Sequence, residues 1–207
     1  MATVWIRVSR KLLANISVSL SLMILLNRMR PKSYTLAHET KADIVKANYF
    51  YHSKDGDVLH EVIKNQKLGT SLSLADDTSI LLEEPGIWSA IYRRKFLQEN
   101  KINFRTTPGA SYQDTGFHFK SFYAAKRTVY TDEAYLHYRV DNASSSVKSL
   151  EKINYIVDEY AEIEEFIKKY NLSWGRYSDA SGCKVWRLPL EPSTSTKEAC
   201  YKIRKNH

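Results

Sequence analysis

Asp114 ends a turn-rich stretch, Pro108-Gly109-Ala110-Ser111-Tyr112-Gln113, and stands where a helix is expected to begin. A carboxylate at that point has two uses. As a cap it accepts backbone N–H bonds and complements the helix dipole. As a general base it is held on a loop beside a substrate hydroxyl. Spacing alone favours the cap. His137 lies between Leu136 and Tyr138 in a strand-like run, where a lone imidazole is more often packed than ligating. Arg139, followed by Asp141-Asn142 and Ser144, Ser145 and Ser146, forms either an anion-binding loop or a polar turn, and the turn is the simpler reading. His52, His60 and His118 have no partner at metal-ligand spacing. Two cysteines, Cys183 and Cys200, make neither a disulfide framework nor a zinc site.

The elements that must hold these residues are patterned across the middle of the chain. Ile44, Val45, Tyr49, Phe50 and Tyr51 make residues 42–51 β-prone, Lys54-Asp55-Gly56-Asp57 reads as a turn, and residues 58–63 return as a strand or short helix. Trp88, Ile91, Tyr92 and Phe96 recur at helical spacing after Pro85-Gly86, predicting an amphipathic helix to about Asn100 with Arg93, Arg94 and Lys95 outside. Phe117, Phe119, Phe122, Tyr123 and Ala124 predict a second helix after Asp114. Residues 127–131 and 134–139 read as two short strands joined at Asp132-Glu133. The stripe Ile153, Ile156, Val157, Tyr160, Ile163, Phe166 and Ile167 predicts a long helix over 150–170. Mixed strands and helices without a repeat point to an α/β or α+β domain.

Across 207 residues, 43 % hydrophobic and 26 % charged composition excludes collagen-like, low-complexity and wholly disordered classes. The formal charge of +8 is not a property of the middle. Residues 1–35 hold six basic and no acidic residues, residues 175–207 hold seven basic and three acidic, and residues 36–174 carry the remaining 8 − 6 − 4 = −2. A phosphate-binding surface belongs to the folded domain, so nucleic acid is not an expected partner. Residues 12–26 form an apolar run flanked by Arg10, Lys11, Arg28 and Arg30, which reads as a signal peptide or short anchor. It is shorter than the roughly 20 residues that span a bilayer. Residues 175–207 have no sustained period.

Three segments in order are similar to family 2 glycosyltransferases. Gly86-Ile87-Trp88-Ser89-Ala90-Ile91-Tyr92-Arg93-Arg94-Lys95-Phe96-Leu97 resembles that family's Trp-Asn-Lys-Leu-Tyr-Arg-Arg-x-Phe-Leu segment. Ser111-Tyr112-Gln113-Asp114-Thr115-Gly116-Phe117 resembles its Glu-Asp loop, with Gln113 in the glutamate position. Ala134-Tyr135-Leu136-His137-Tyr138-Arg139 resembles the strand that follows. The resemblance covers residues 36–174 and corresponds to the acceptor-side, C-terminal part of the family's domain. It implies an incomplete GT-A fold, the α/β nucleotide-diphospho-sugar transferase architecture with a mixed sheet flanked by helices. It also implies inverting transfer of a sugar from a nucleotide-sugar donor to a glycan acceptor hydroxyl, with Mn²⁺ or Mg²⁺. On that resemblance Asp114 is the general base and His137 a metal-side residue. Trp88 shapes the acceptor wall, with Tyr112, Gln113 and Arg139 binding substrate. Location in the cytoplasm, at the inner face of the membrane through peripheral association, is the matching expectation. The alternative is a membrane-tethered glycan-binding module without catalysis.

The family's donor half, with its Asp-x-Asp metal motif, would precede residue 36, and residues 1–35 contain no aspartate or glutamate. The sequence therefore predicts little or no transfer by the chain as encoded, against nucleotide sugars with Mn²⁺. A shifted reading frame supplies the missing words. Taking the last base of each codon with the next two, Met23 before Ile24 must give aspartate. Leu22 written CTG gives a second. From Ala14 onward the shifted frame can spell Glu-Tyr-Ile-Ser-Phe-Val-x-Ser-Asp-Asp-Phe-Ile-Glu-Pro-Asp. In another frame Trp186 must give glycine, and residues 188–195 can spell Tyr-His-Trp-Asn-Leu-Gln-Arg-Leu, similar to the family's C-terminal helix. Sequencing the coding DNA tests this: the synonymous codons at Leu22, Leu188 and Leu190 are expected to spell the shifted words, and other codons there refute it.

Overall fold

The structure, a computed structural model, describes residues 5–7, 24–26, 32–64, 66–76, 78–105, 112–141 and 153–170. The tail 175–207, most of the 12–26 run, Pro108 to Ser111, Asn142 and the three serines after it lie outside the described residues. Among the described residues one sheet contains β1 (Trp5–Arg7), β2 (Ile24–Leu26), β3 (Ile44–Ser53), β4 (Gly56–His60), β5 (Ser71–Leu72), β6 (Ala90–Arg93) and β7 (Thr128–Arg139). The strand order is β1-β6-β3-β7-β2, with β4 also on β3 and β5 also on β7. β3 and β7 run parallel and the other pairs antiparallel. The helices are α1 (Lys32–Thr40), α2 (Arg94–Glu99), α3 (Gln113–Ala124) and α4 (Ile153–Lys169). The expected mixed sheet flanked by helices is what the chain forms.

Burial on both faces explains the strands. On one face Ala37 of α1 packs with Ala42, Val45, Ile91 and Val129, and Tyr34 lies against them. On the other, Ile44, Tyr49, Tyr92, Tyr130 and Leu136 meet Phe117 and Phe122 of α3 and Ile163 and Ile167 of α4. Neighbouring strand residues thus enter different cores, as the two-residue period of a strand requires. The helical stripe in α4 ends where the sequence places it, within a residue or three. No helix among the described residues is long and apolar enough to cross a membrane.

Two sequence expectations are corrected. Residues 87–99 are not one amphipathic helix: Ile87–Ser89 is a single 3₁₀ turn, Ala90–Arg93 is β6, and only Arg94–Glu99 is helical. Ile91 and Tyr92 match helical spacing, yet they are adjacent apolar residues that fill opposite cores. Pairing with both β1 and β3 overrides the helical pattern. The expected pair of short strands over 127–139 is instead continuous in β7, with an irregularity: Ala47 pairs Thr131, but Asn48 pairs Ala134. Asp132 and Glu133 are the extra residues of this bulge. The bulge gives Glu133 a use, because its carboxylate accepts from Lys32 N (3.1 Å), Ser33 N (3.2 Å) and Ser33 Oγ (3.2 Å) at the start of α1. A strand carboxylate a hundred residues away thus caps this helix. Residues after β4 turn inward, and the Asn48 side-chain oxygen accepts from Val62 N (2.9 Å) and Ile63 N (3.0 Å).

Asp43 ties three elements together. Its carboxylate pairs with the Arg93 guanidinium and accepts from Lys126 N (3.0 Å) and Arg127 N (3.1 Å). Its carbonyl accepts from Arg93 N (2.9 Å), and its own N–H donates to the Arg127 carbonyl (2.8 Å). The side chain is 4 % exposed, so removing it strands one guanidinium and two amides. Asp43→Ala is expected to lower unfolding stability by roughly 3 kcal/mol, read as a lower urea midpoint without a change in slope. A midpoint within error of the parent would refute this clamp.

Candidate functional site

Asp114 occupies the second position of α3 rather than the cap. Tyr112 precedes the helix with left-handed backbone (φ 59°, ψ 13°) and makes no side-chain capping bond. That turn is stabilised by Thr115 N donating to the Tyr112 carbonyl at 3.0 Å. The left-handed residue reverses the chain immediately before the helix and delivers Asp114 half-buried against β7. Burial raises its carboxyl to about 7, and the nearby charge of Glu84 adds to that. The backbone amides of Thr115 and Asp114 act in the opposite direction without cancelling it. A carboxylate serving only the helix would be held ionised by those amides. This one exchanges its proton near neutrality, which suits acid–base chemistry.

β3 contributes the surrounding polar groups. Lys46, Tyr49 and Tyr51 all reach the Glu84–Gly86 segment. Glu84 accepts from the Tyr51 hydroxyl (2.7 Å) and the Tyr49 hydroxyl (3.1 Å), and His60 Nε2 lies 4.0 Å away. Lys46 is fully buried and donates from Nζ to the Gly86 carbonyl at 2.6 Å. Burial pulls its ammonium down to about 7, against the upward pull of Glu84 and Glu83. Burial likewise pushes the phenols of Tyr51 and Tyr138 up to about 12, so both remain hydroxyl donors at neutral pH.

An aromatic wall adjoins these groups. Trp88 stacks on Tyr138 with ring centres 4.6 Å apart and planes 6° from parallel, and meets the edge of Tyr49 at 6.2 Å. Tyr138 in turn feels the charges of Asp114 and Glu84. The indole Nε1 of Trp88 and the hydroxyl of Tyr112 are buried without a hydrogen-bond partner. Two orphaned donors beside a neutral-pH carboxylate and a flat aromatic pair make an arrangement suited to a polyhydroxylated ring.

The fold therefore brings Trp88, Tyr112 and Asp114 together, while Gln113 is buried at the start of α3. It does not bring His137 and Arg139 to them. Tyr138 faces Asp114, so its strand neighbours point to the other side of β7. Arg139 Nε is bound to Asp141 Oδ1 at 2.6 Å. His137 Nδ1 lies 3.0 Å from Asp57 Oδ2, and Asp57 Oδ1 lies 2.7 Å from His52 Nδ1. His52 has no partner at metal-ligand spacing along the chain, but β3, β4 and β7 bring Asp57 and His137 to it in space. His118 is a core residue: buried, its Nε2 3.0 Å from the Ile80 carbonyl, and pulled down to about 3 by burial and by the charge of Lys46. Sequence reasoning also missed Glu84, Lys46, Tyr49 and Tyr51. The available signal was a lysine inside an apolar strand, followed by two tyrosines two residues apart.

No protein-family model matches the chain, and no curated protein matches it. Among solved structures it is similar to residues 1–349 of S. aureus TarS in complex with UDP, at 20 % identity and TM-score 0.46 over 66 % of this chain and 38 % of that one. It is also similar to the same TarS segment in complex with UDP-GlcNAc (15 %, TM-score 0.48, 83 % and 50 %). For S. aureus TarS the values are 17 % and 0.45, over 85 % of this chain and 30 % of that one. The chain spans half or less of each.

Glu84→Gln removes the like charge near Asp114 and the opposite charge near Lys46. Both groups are then expected to titrate at lower pH than in the parent, Asp114 below its value of about 7. Carbon-detected NMR titration checks this, and an upward or absent shift at Asp114 would contradict the electrostatic arrangement.

Proposed function

We propose that this chain is the acceptor-side portion of a family 2-type glycosyltransferase. It would act on a glycan hydroxyl with a nucleotide sugar as donor. The observation that carries the reading is the half-buried Asp114, raised to about 7, at the start of α3 beside the Trp88–Tyr138 stack. The three family-like segments support it, because two of them supply those residues. A sugar ring docks beside the Trp88–Tyr138 stack, and a local opening gives it the buried, unpaired indole N–H and Tyr112 hydroxyl as donors to its oxygens. Its attacking hydroxyl donates to the Asp114 carboxylate. As the oxygen bonds to the anomeric carbon of the donor, its proton passes to Asp114 and the nucleoside diphosphate leaves from the opposite face. The product is inverted.

Among the described residues, those near Asp114 do not fit the divalent metal that the resemblance implies. The Asp-x-Asp triplet Asp55-Gly56-Asp57 lies in the β3–β4 turn, with Asp57 held by two histidines. Glu84, near Asp114, is occupied by two tyrosine hydroxyls. His137 lies on the other face of the sheet. No step is assigned to a metal here.

Acceptor binding tests the reading without requiring turnover. A raised carboxyl is protonated below its pKa, so the form that accepts the sugar hydroxyl is present above about pH 7 and lost below it. Oligosaccharide affinity, followed by tryptophan fluorescence, is expected to strengthen as pH rises through 7. Asp114→Asn flattens that dependence, and Trp88→Ala weakens binding about tenfold, or 1.4 kcal/mol. Where transfer is measurable, Asp114→Asn lowers it by roughly 10²–10⁴. Affinity that ignores pH and both substitutions sinks the proposal.

A further inference from the structure

We propose that His52, Asp57 and His137 form a binding site for a transition-metal dication of the Zn²⁺ class, on the sheet face turned away from Asp114. Their ligand atoms lie within 4.8 Å of one another. The cluster is not a chance meeting of mobile side chains. β3 and β4 set His52 directly opposite Asp57, and β3 and β7 set Phe50 opposite His137. The ring of His137 stacks on Phe50 at 4.9 Å and 19°, which fixes its plane. The two imidazoles stand nearly perpendicular, with centres 6.3 Å apart, and both aim Nδ1 at the carboxylate between them. Arg139, two residues along the same strand face, is bound to Asp141 and does not compete for Asp57.

Two imidazoles and one carboxylate are the donor set of three-ligand zinc sites that leave a coordination position open. Nitrogen donors select Zn²⁺, Co²⁺ or Ni²⁺ over Mg²⁺ and Ca²⁺, which take oxygen. Tetrahedral ligands at 2.0–2.2 Å from an ion are about 3.3 Å apart. The 2.7 Å and 3.0 Å separations run to the two different oxygens of Asp57, and the one-atom-per-residue ligand set lies within 4.8 Å, so side-chain rotation of about an ångström brings the three donors to that spacing. Without metal the carboxylate accepts Nδ1–H from the imidazoles. With metal each Nδ1 gives its lone pair to the ion and the neutral ring carries its proton on Nε2. Asp57 is exposed and both histidines are half-buried, so an ion enters without unfolding and keeps a site for water. Such an ion would pin the β3–β4 hairpin to β7, in an arrangement separate from the proposed transfer chemistry.

The test uses the full chain stripped with chelator. Co²⁺ titration is expected to give the intense visible bands of a four-coordinate ion at one equivalent, displaced by Zn²⁺ and not by Mg²⁺. Zn²⁺ is expected to raise the melting temperature. His52→Ala, His137→Ala and Asp57→Asn, each checked for parental circular dichroism, are expected to weaken Zn²⁺ binding at least tenfold, while Asp114→Asn leaves it unchanged. The proposal is overturned if the parent binds no Co²⁺ or Zn²⁺. It is equally overturned if binding survives all three substitutions, or disappears only when Cys183 and Cys200 are replaced.

Discussion

The parallel pairing of β3 with β7 governs the rest of the molecule. Hydrogen bonds from Ile44 opposite Thr128 to His52 opposite Arg139 lock two strands that are distant in sequence into one register. That register decides which side chains share a face. A one-residue slip would exchange the two faces of either strand, carrying Tyr138 away from Trp88 and His137 away from Asp57. Asp43 stands at the start of this pairing and fixes it to β6 and to the α3–β7 connection.

The bulged register converts a regular strand pair into one that carries polar groups. Opposite Ala47 and Asn48, strand β7 carries two extra residues, and nearby on β3 Tyr49 and Tyr51 converge on Glu84 while Lys46 reaches the Gly86 carbonyl. On β7 the same irregularity frees Glu133 to cap α1. Holding a buried Lys46 and a half-buried Asp114 each near Glu84 would be costly if both were simply ionised. The structure moderates the cost in two ways. Glu84 receives two hydroxyl donors, and Lys46 and Asp114 both move toward neutrality, one down to about 7 and the other up to about 7. The result is a cluster whose charge changes near physiological pH, where proton transfer is most effective.

The two faces of the sheet divide the chemistry. Toward α3 lie the Asp114 carboxyl and the Trp88–Tyr138 stack, with Glu84 acting on both Asp114 and the buried Lys46 ammonium. On the reverse side the hairpin holds two imidazoles against one carboxylate. His137 and Tyr138 are adjacent in the chain and belong to different sites, because a strand turns successive side chains through half a revolution. Assigning both to one site is the natural consequence of reading them as a single motif.

Much was legible in the residues themselves. β-prone runs marked β3 and the two halves of β7, the stripe from Ile153 to Ile167 marked α4, and the turn before Asp114 marked the start of α3, because each signal is local. The charge split between the ends and the middle was likewise plain arithmetic. What tertiary structure alone decided was every property that depends on partners. β6 became a strand because two neighbours offered it hydrogen bonds, against its helical spacing. Asp114 became a group poised near neutrality through burial and the charge of Glu84, and His52 met His137 across three strands. Local pattern records what a residue prefers, while proximity between distant residues exists only after the chain has closed.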